Sequence, residues 1–566
     1  MKRTGAQILI EGLKDEGVNL IFGYPGGAVL HLYDELFRHP DMHHVLVRHE
    51  QAAVHMADGY ARVTGNPGVA LVTSGPGATN TVTGLATAFM DSIPLVVISG
   101  QVPLSMIGND AFQEADIVGI TRPCTKHNYL VKDVRDLQRI VKEAFYLARS
   151  GRPGPVLIDI PKDLQLHECE TLPFDQVQVR ERRQNFDAHG GQIRKAWEMM
   201  KSAGRPLFYV GGGAVLSKAA VELSQLAHMT QIPVAMTLMG LGAFSGVDKQ
   251  SLGMLGMHGS YYANMAITDC DVLISVGARF DDRVTGKLSE FSKHSRKIHI
   301  DIDPGNVGKS VPVEVPVVGD VKYVLTELIK MAQEDADFLK EFHRRLKPWW
   351  EQIHGWMEKA PMAYQQGEEK ITAQYVIDQL YQLTEGNAIV TTDVGQHQMW
   401  AAQFYKFKDP NCWCTSGGLG TMGYGFPAAI GAQLARPDKK VICISGDGSI
   451  QMNIQELATA VEWKTPVIVA ILNNRFLGMV RQWQELFYDN RYSEVEMKVL
   501  PDFVKLAESY GAVGFKATKP GEVKKVIQEA LKVTDRPVVI DFQTALEDNV
   551  YPMVPAGGSV SDIVLA

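Results

Sequence analysis

At 566 residues the chain is too long for one hydrophobic core, and about three domains of ordinary size are expected. Hydrophobic residues make up 45% and charged residues 21%, the balance of a soluble globular protein. Net charge is −8 with no basic block, and no apolar run reaches membrane-spanning length, so nucleic acid and membrane are not expected partners.

The N-terminal stretch MKRTGAQILIEGLKDEG has charges on both sides of a brief apolar run and reads as a helix, not a secretion signal. A first domain is expected over 1–165. Short apolar runs (Leu20 to Phe22, Val45 to Val47, Val69 to Val72, Leu95 to Ile98, Val156 to Ile158) alternate there with helical stretches, the pattern of a mostly parallel sheet covered on both faces. Gly-rich turns follow several of these strands: GYPGGA at 23–28, which holds Gly27, SGPGATN at 74–80 and SGQV at 99–102. Several such turns at strand ends suggest backbone approaching a ligand. Glu50, in RHEQAAVHMADGYAR, follows a strand and opens a helix, where a carboxylate is favoured by the helix dipole in any case. GRPGPVLIDIPKDL at 151–164 closes the domain, and the polar, aperiodic stretch from Gln165 to about Gly190 reads as an exposed linker.

A second domain of the same alternation is expected over 190–340. Tyr209 to Ala214 is a strand running into a Gly turn, and DVLISVGAR (271–279) and KIHIDID (297–303) are further strands. GKS at 308–310 suggests a phosphate loop, but that motif needs Gly where Asp303 stands. The charged segment of about 335–370 reads as a helical connection, with Trp349, Trp350 and Trp356 as docking anchors. Six cysteines are scattered; Cys412 and Cys414, the close pair, fit neither a zinc site nor a redox pair, as expected of reduced thiols in a cytoplasmic enzyme.

A third domain is expected over 370–566. TTDVGQHQMW at 391–400 is a strand end with a Gly turn that brings Gly395, Gln396 and His397 together. Gly418 to Gly423 matches a dinucleotide fingerprint, but CWCTSGG is too rich in Gly for the strand that motif requires. The most informative stretch is Gly446 to Asn474. VICIS reads as a buried strand, Asp447 follows between two glycines, Ile454, Leu457 and Val461 share a helical face, and VIVAIL ends at Asn473 and Asn474. A strand–helix–strand unit makes its strands parallel and puts Asp447 and Asn474 on one sheet edge. One carboxylate and one amide oxygen form a hard, sparse ligand set suited to Mg²⁺ completed by backbone oxygen, water and phosphate, while the glycines let N–H groups approach the phosphate.

The span from GDG to NN resembles the diphosphate- and metal-binding motif of thiamine diphosphate enzymes. Nearly the whole chain is similar to the catalytic large subunits of acetohydroxyacid (acetolactate) synthases: GYPGGA, RHEQAAVHMADGYAR, SGPGATN, DAFQEADIVGITR, SGRPGPVLIDIPKD, GMLGMHG, GARFDDRVTG, GGLGTMGYG, GDGSIQMN, LNN and MVRQWQ occur in that order. The resemblance implies three doubly wound α/β domains binding, in turn, the pyrimidine ring, FAD, and the diphosphate with Mg²⁺. It implies decarboxylation of pyruvate and transfer of the two-carbon unit to pyruvate or 2-oxobutanoate, the first common step toward valine, leucine and isoleucine. Glu50 is the implied catalytic acid–base. Asp447, Asn474 and the Phe476 carbonyl are the implied Mg²⁺ ligands. Gly395, Gln396, His397, Gly448 and Ser449 are implied at the diphosphate, with Gly420 and Met422 at the ring edge. FAD, without net redox work, is implied at Arg152, Gly212, Gly213, His258, Gly259, Arg279, Arg283, Asp301, Ile302, Asp320 and Val321. Gly27, Phe112, Gln113, Lys162, Met479 and Trp483 are implied on the substrate approach. Relatives act as homodimers or homotetramers with active sites between chains, often with a small regulatory subunit. A pyruvate oxidase-like enzyme using both cofactors is the alternative, but GARFDDR and MVRQWQ favour the synthase.

Overall fold

A computed structural model describes residues 1–179 and 187–565. Among these residues lie three six-stranded sheets, each wholly parallel. Their central strands are apolar on both faces, as expected where helices cover both sides.

The first sheet runs in the order His43–Leu46, Leu20–Tyr24, Gly68–Val72, Leu95–Gln101, Pro155–Pro161, His127–Leu130. The third runs Trp413–Thr415, Ile389–Thr392, Val441–Gly446, Ile468–Asn473, Val538–Gln543, Val513–Ala517. Counted along the chain, these two orders are the same, although residue identity gives no hint of a repeat. The middle sheet differs: Ser251–Met254, Val234–Met236, Pro206–Val210, Val272–Val276, Arg296–Asp301, Val315–Val318. That is the order of dinucleotide-binding doubly wound sheets, with its crevice between the first and fourth strands in sequence.

Three expectations need correction. The stretch after Gln165 is not simply exposed linker. Gln165 and Cys169 are buried, and Glu168–Glu170 pairs antiparallel with Lys2–Thr4, because the Glu-Cys-Glu alternation turns one side chain inward. Residues 180–186 of that linker lie outside the described residues. Second, Trp413–Thr415 is a strand after all, kept short by the glycines that follow it. Third, the helical face of Ile454, Leu457 and Val461 is a 3₁₀ turn, Ile454–Glu456, followed by a short α-helix, Leu457–Glu462. The charged connection is one helix, Ala336–Lys359, anchored as expected. Trp349 is fully buried with its Nε1 donating to Pro206 O (3.0 Å), and Trp350 Nε1 donates to Gln231 O (2.9 Å).

The first and third domains meet through two helices. Glu50–Thr64 lies against Gly425–Ala435, and glycines let the backbones touch: a Cβ on Gly59 would sit 2.1 Å from Ala428 O, and one on Gly431 1.9 Å from Met56 O. These two contacts make the helices antiparallel.

Candidate active site

Val441–Gly446 and Ile468–Asn473 are neighbours, with Gly446 level with Leu472, so Asp447 and Asn474 leave the same sheet edge side by side. Asp447 is 1% exposed, and among the described residues neither carboxylate oxygen has a hydrogen-bond partner. Burial raises its pKa from 3.8 to about 7; the nearby backbone amides of Asp447 and Asn474, outside hydrogen-bond geometry, offset only part of the push. A buried, unpaired carboxylate is costly, and a cation is the group that relieves the cost.

The neighbouring amide is held in place. Asn474 Nδ2 donates to Gln396 Oε1 (3.2 Å), and Asn474 Oδ1 accepts from Phe476 N (3.1 Å) across Arg475, whose φ is +60°. Gln396 is itself fixed, its Nε2 donating to Gln482 Oε1 and Asp548 O at 2.9 Å each. A Cβ on Gly478 would fall 2.0 Å from Gln396 Oε1, so any larger residue there would displace the Gln396 amide from its hydrogen bonds.

Facing this turn is the end of Ile389–Thr392. Gly395 leads into the helix Gln396–Phe404, and Ser449 Oγ donates to Val394 O (3.4 Å) across the gap. The His397 ring lies over Gly446, whose added Cβ would meet Nδ1 at 3.0 Å. Burial lowers the His397 pKa to about 3, so the imidazole is neutral; its Nε2 has no partner among the described residues. Bare backbone at Gly395, Gly446 and Gly448, beside a helix N-terminus, is a cradle suited to phosphate. The loop carrying Gly420 and Met422 turns on left-handed glycines, Gly420 (φ +74°) and Gly423 (φ +83°), and Met422 is half-buried.

Glu50 belongs to a separate constellation. It opens Glu50–Thr64, accepts from Asn80 Nδ2 through Oε2 (2.9 Å), and keeps Oε1 beside Gly77. Gln113 covers Gly75 of the same SGPG turn, while Phe112 is 87% exposed and Gly27 is exposed. Lys162 is half-buried at the end of Pro155–Pro161, its N–H donating to Gln101 O (3.0 Å).

Within one chain the two constellations lie apart. From the Gly59–Ala428 contact, Glu50 and Gly425 lie in opposite directions along the helix pair. At 1.5 Å per residue they are separated by about 18 Å along the axes. Gly425 N donates to Asp393 Oδ1 (2.8 Å) and so marks the third sheet's ligand edge. At the Glu50 end, Thr459 Oγ1 instead reaches Leu46 O (3.5 Å) and Arg48 pairs with Glu462 (2.8 Å).

A cavity of about 920 Å³ fills the crevice of the middle domain. Arg152, Gly212, Gly213, His258, Arg279, Arg283, Asp301, Ile302, Asp320 and Val321 line it; Gly259 is adjacent in the turn after His258 but does not. Its far end is formed by Gly395, Gly420, Met479 and Trp483, so it reaches the third domain's ligand edge. It does not include Gly27, Glu50, Phe112, Gln113, Lys162 or Asp447.

Sequence reasoning missed Gln482 and Gly478, which fix Gln396 and Asn474, and Glu456. The Glu456 carboxylate is buried and accepts Arg48 N (2.9 and 3.2 Å), holding the turn before Glu50 from another domain. Gly478 and Gln482 share a helix face, but the partner that gives them meaning is some 80 residues distant, and no local pattern reveals it.

Comparison with known families covers all three units. The chain matches the models described as thiamine pyrophosphate enzyme, N-terminal TPP binding domain (residues 3–120), central domain (193–328) and C-terminal TPP binding domain (393–542). Thiamine pyrophosphate is thiamine diphosphate under its older name. The acetolactate synthase large subunit of Haemophilus influenzae is 48% identical, over 100% of this chain and 98% of that protein. The acetolactate synthase isozyme 3 large subunit of Escherichia coli is 49% identical with the same coverage. The acetolactate synthase of Mycobacterium bovis is 49% identical over 100% of this chain and 91% of its own length. With its ligand edges and its end-to-end likeness pointing the same way, the chain belongs to the acetolactate synthase large-subunit family of thiamine diphosphate enzymes.

Proposed function

We propose that this protein is an acetolactate synthase, converting two pyruvates, or pyruvate and 2-oxobutanoate, into a 2-acetohydroxy acid and carbon dioxide. The observation that carries the reading is the buried Asp447 carboxylate, without a partner among the described residues, beside Asn474 and bordering the switch point of the third sheet. That donor set fits Mg²⁺, with the Phe476 carbonyl as third protein ligand. The glycine cradle at 395 and 446–449 fits a diphosphate, with Gln396, His397 and Ser449 around it. The middle domain's strand order and its cavity fit FAD, with Arg152, Arg279 and Arg283 available to its phosphates. No redox step is assigned to that cavity.

When bound, thiamine diphosphate supplies the carbon nucleophile and electron sink that let a 2-keto acid lose carbon dioxide. The chain's residues do the rest. Glu50, with Oε2 occupied by Asn80, keeps Oε1 to share a proton with the pyrimidine N1′ nitrogen. The Gly420 carbonyl and Met422 would hold and orient the ring edge of the bound cofactor. Met479 and Trp483 give the substrate end of the cavity apolar walls that exclude water. Gln113 and Lys162 lie on the Glu50 side, where they orient the incoming carboxylate.

Since about 18 Å separates Glu50 from the third domain's ligand edge in one chain, the working site joins Glu50 of one copy to the Asp447 side of another. The minimal active form is then a homodimer, and a tetramer is a pair of such dimers. The large-subunit name of the relatives supports a small regulatory partner, and the six free cysteines support a cytoplasmic location.

The test is product analysis. Purified protein with pyruvate, Mg²⁺ and thiamine diphosphate should form acetolactate and no peroxide, and its spectrum should show bound flavin. Peroxide as the main product would replace this reading with an oxidase.

A further inference from the structure

We propose that Asp91, with Thr87 one turn before it, is a positioning residue for the loop Gly417–Gly423. The proposal rests on the reading of that loop as the support of the cofactor ring through Gly420 and Met422. Both residues sit on one face of the first-domain helix Val82–Asp91 and hold the third-domain loop at two points. Asp91 accepts Gly418 N through Oδ1 (2.7 Å) and Gly417 N through Oδ2 (3.1 Å). Thr87 Oγ1 bonds Thr421 Oγ1 (2.7 Å), where Thr421 N already donates to Ser416 Oγ (2.9 Å). The loop between these points is the one that presents Gly420.

The fit is close and specific. A Cβ on Gly418 would lie 2.9 Å from Asp91 Oδ1, and one on Gly417 2.3 Å from Met239 Sδ of the middle domain. The simpler role for Asp91 is to neutralise the buried Arg62, whose Nη2 it accepts at 2.9 Å. Arg62 already has Asp58 at 2.6 Å, so a second acid is not needed for that purpose. The turn is gripped from the other side too: Ser92 Oγ accepts Arg152 Nε (2.8 Å) and Met90 O accepts Arg279 Nη1 (3.4 Å). The middle domain's cavity arginines and the loop are thus joined through residues 90–92.

Two variants of the full-length protein separate positioning from charge neutralisation. Asp91→Asn keeps the volume but turns one acceptor into a donor facing backbone N–H. Thr87→Val keeps the shape and leaves the Arg62–Asp91 pair intact. Amide hydrogen exchange should quicken in residues 417–423 of both variants and remain unchanged in the distant strands of the third sheet. Thiamine diphosphate with Mg²⁺ should bind about tenfold more weakly to Asp91→Asn and at least about threefold more weakly to Thr87→Val, the scale of one or two lost hydrogen bonds. Turnover at saturating cofactor should change less than affinity, and flavin content should hold. If Asp91→Asn does not fold, Thr87→Val decides. Wild-type loop exchange and wild-type cofactor affinity in Thr87→Val would overturn the proposal. Failure of the wild-type protein to bind thiamine diphosphate would instead overturn the cofactor reading, and loop exchange would still decide the clamp.

Discussion

Asp447→Asn should make the cofactor-free protein more stable while abolishing its response to thiamine diphosphate and Mg²⁺. The folded chain moves this carboxyl from 3.8 to about 7, chiefly by burial, with Asp541 adding to the push and Arg475 opposing it. A folded pKa above the unfolded one means that stability is fully present below pH 3.8 and is lost as pH rises through 7. Once the group is ionised, the cost is about 4 kcal/mol. Asn resembles the neutral acid in shape and is equally unpaired, so the substitution removes this cost and little else. In chelator at pH 8, the variant should melt several degrees above wild type. At pH 5, where only part of the cost has accrued, the gap should shrink to less than half. With Mg²⁺ and thiamine diphosphate added, wild type should gain stability by mass action and the variant should not. Equal melting at both pH values, or a Mg²⁺-dependent cofactor shift that survives in the variant, would refute the argument.

Glu50→Gln keeps size but loses the shared proton; turnover should fall by at least about 10²-fold with thiamine diphosphate still bound, and near-normal turnover would remove Glu50 from the chemistry. Trp483→Leu should lower the preference for 2-oxobutanoate over pyruvate within the roughly 10–200-fold that one methylene allows. Competition between the two keto acids measures it, and an unchanged product ratio in an active mutant would exclude the wall role. Arg152→Ala and Arg279→Ala should each yield protein with reduced flavin absorbance per chain; full flavin content in both would move the flavin site elsewhere.

The central strands were legible because they are buried on both faces and written as uninterrupted apolar runs, VICIS and VIVAIL among them. Most edge strands, His127–Leu130 among them, were not, since a half-exposed strand carries polar residues and no continuous run. The unit from Asp447 to Asn474 was readable because both residues end strands of one local crossover, and geometry then brings them together. What holds them was not readable. Gln396, Gln482, Asp91 and Glu456 act through partners distant in sequence, and a hydrogen bond between domains leaves no periodic trace. Likewise Gly59 and Gly431 look like weak points in helices until the opposite backbone is seen pressed against them. The shared order of the first and third sheets is a property of topology, not of residue identity.

The measurement that tests the account most directly is complementation between two inactive chains. Chains carrying Glu50→Gln and chains carrying Asp447→Asn are purified, dissociated, mixed and reassembled, and acetolactate formation from pyruvate is assayed. A site built from Glu50 of one copy and Asp447 of another predicts activity in the mixture that neither parent possesses. A mixture that stays as inactive as its parents, although mixed oligomers have formed, would contradict it.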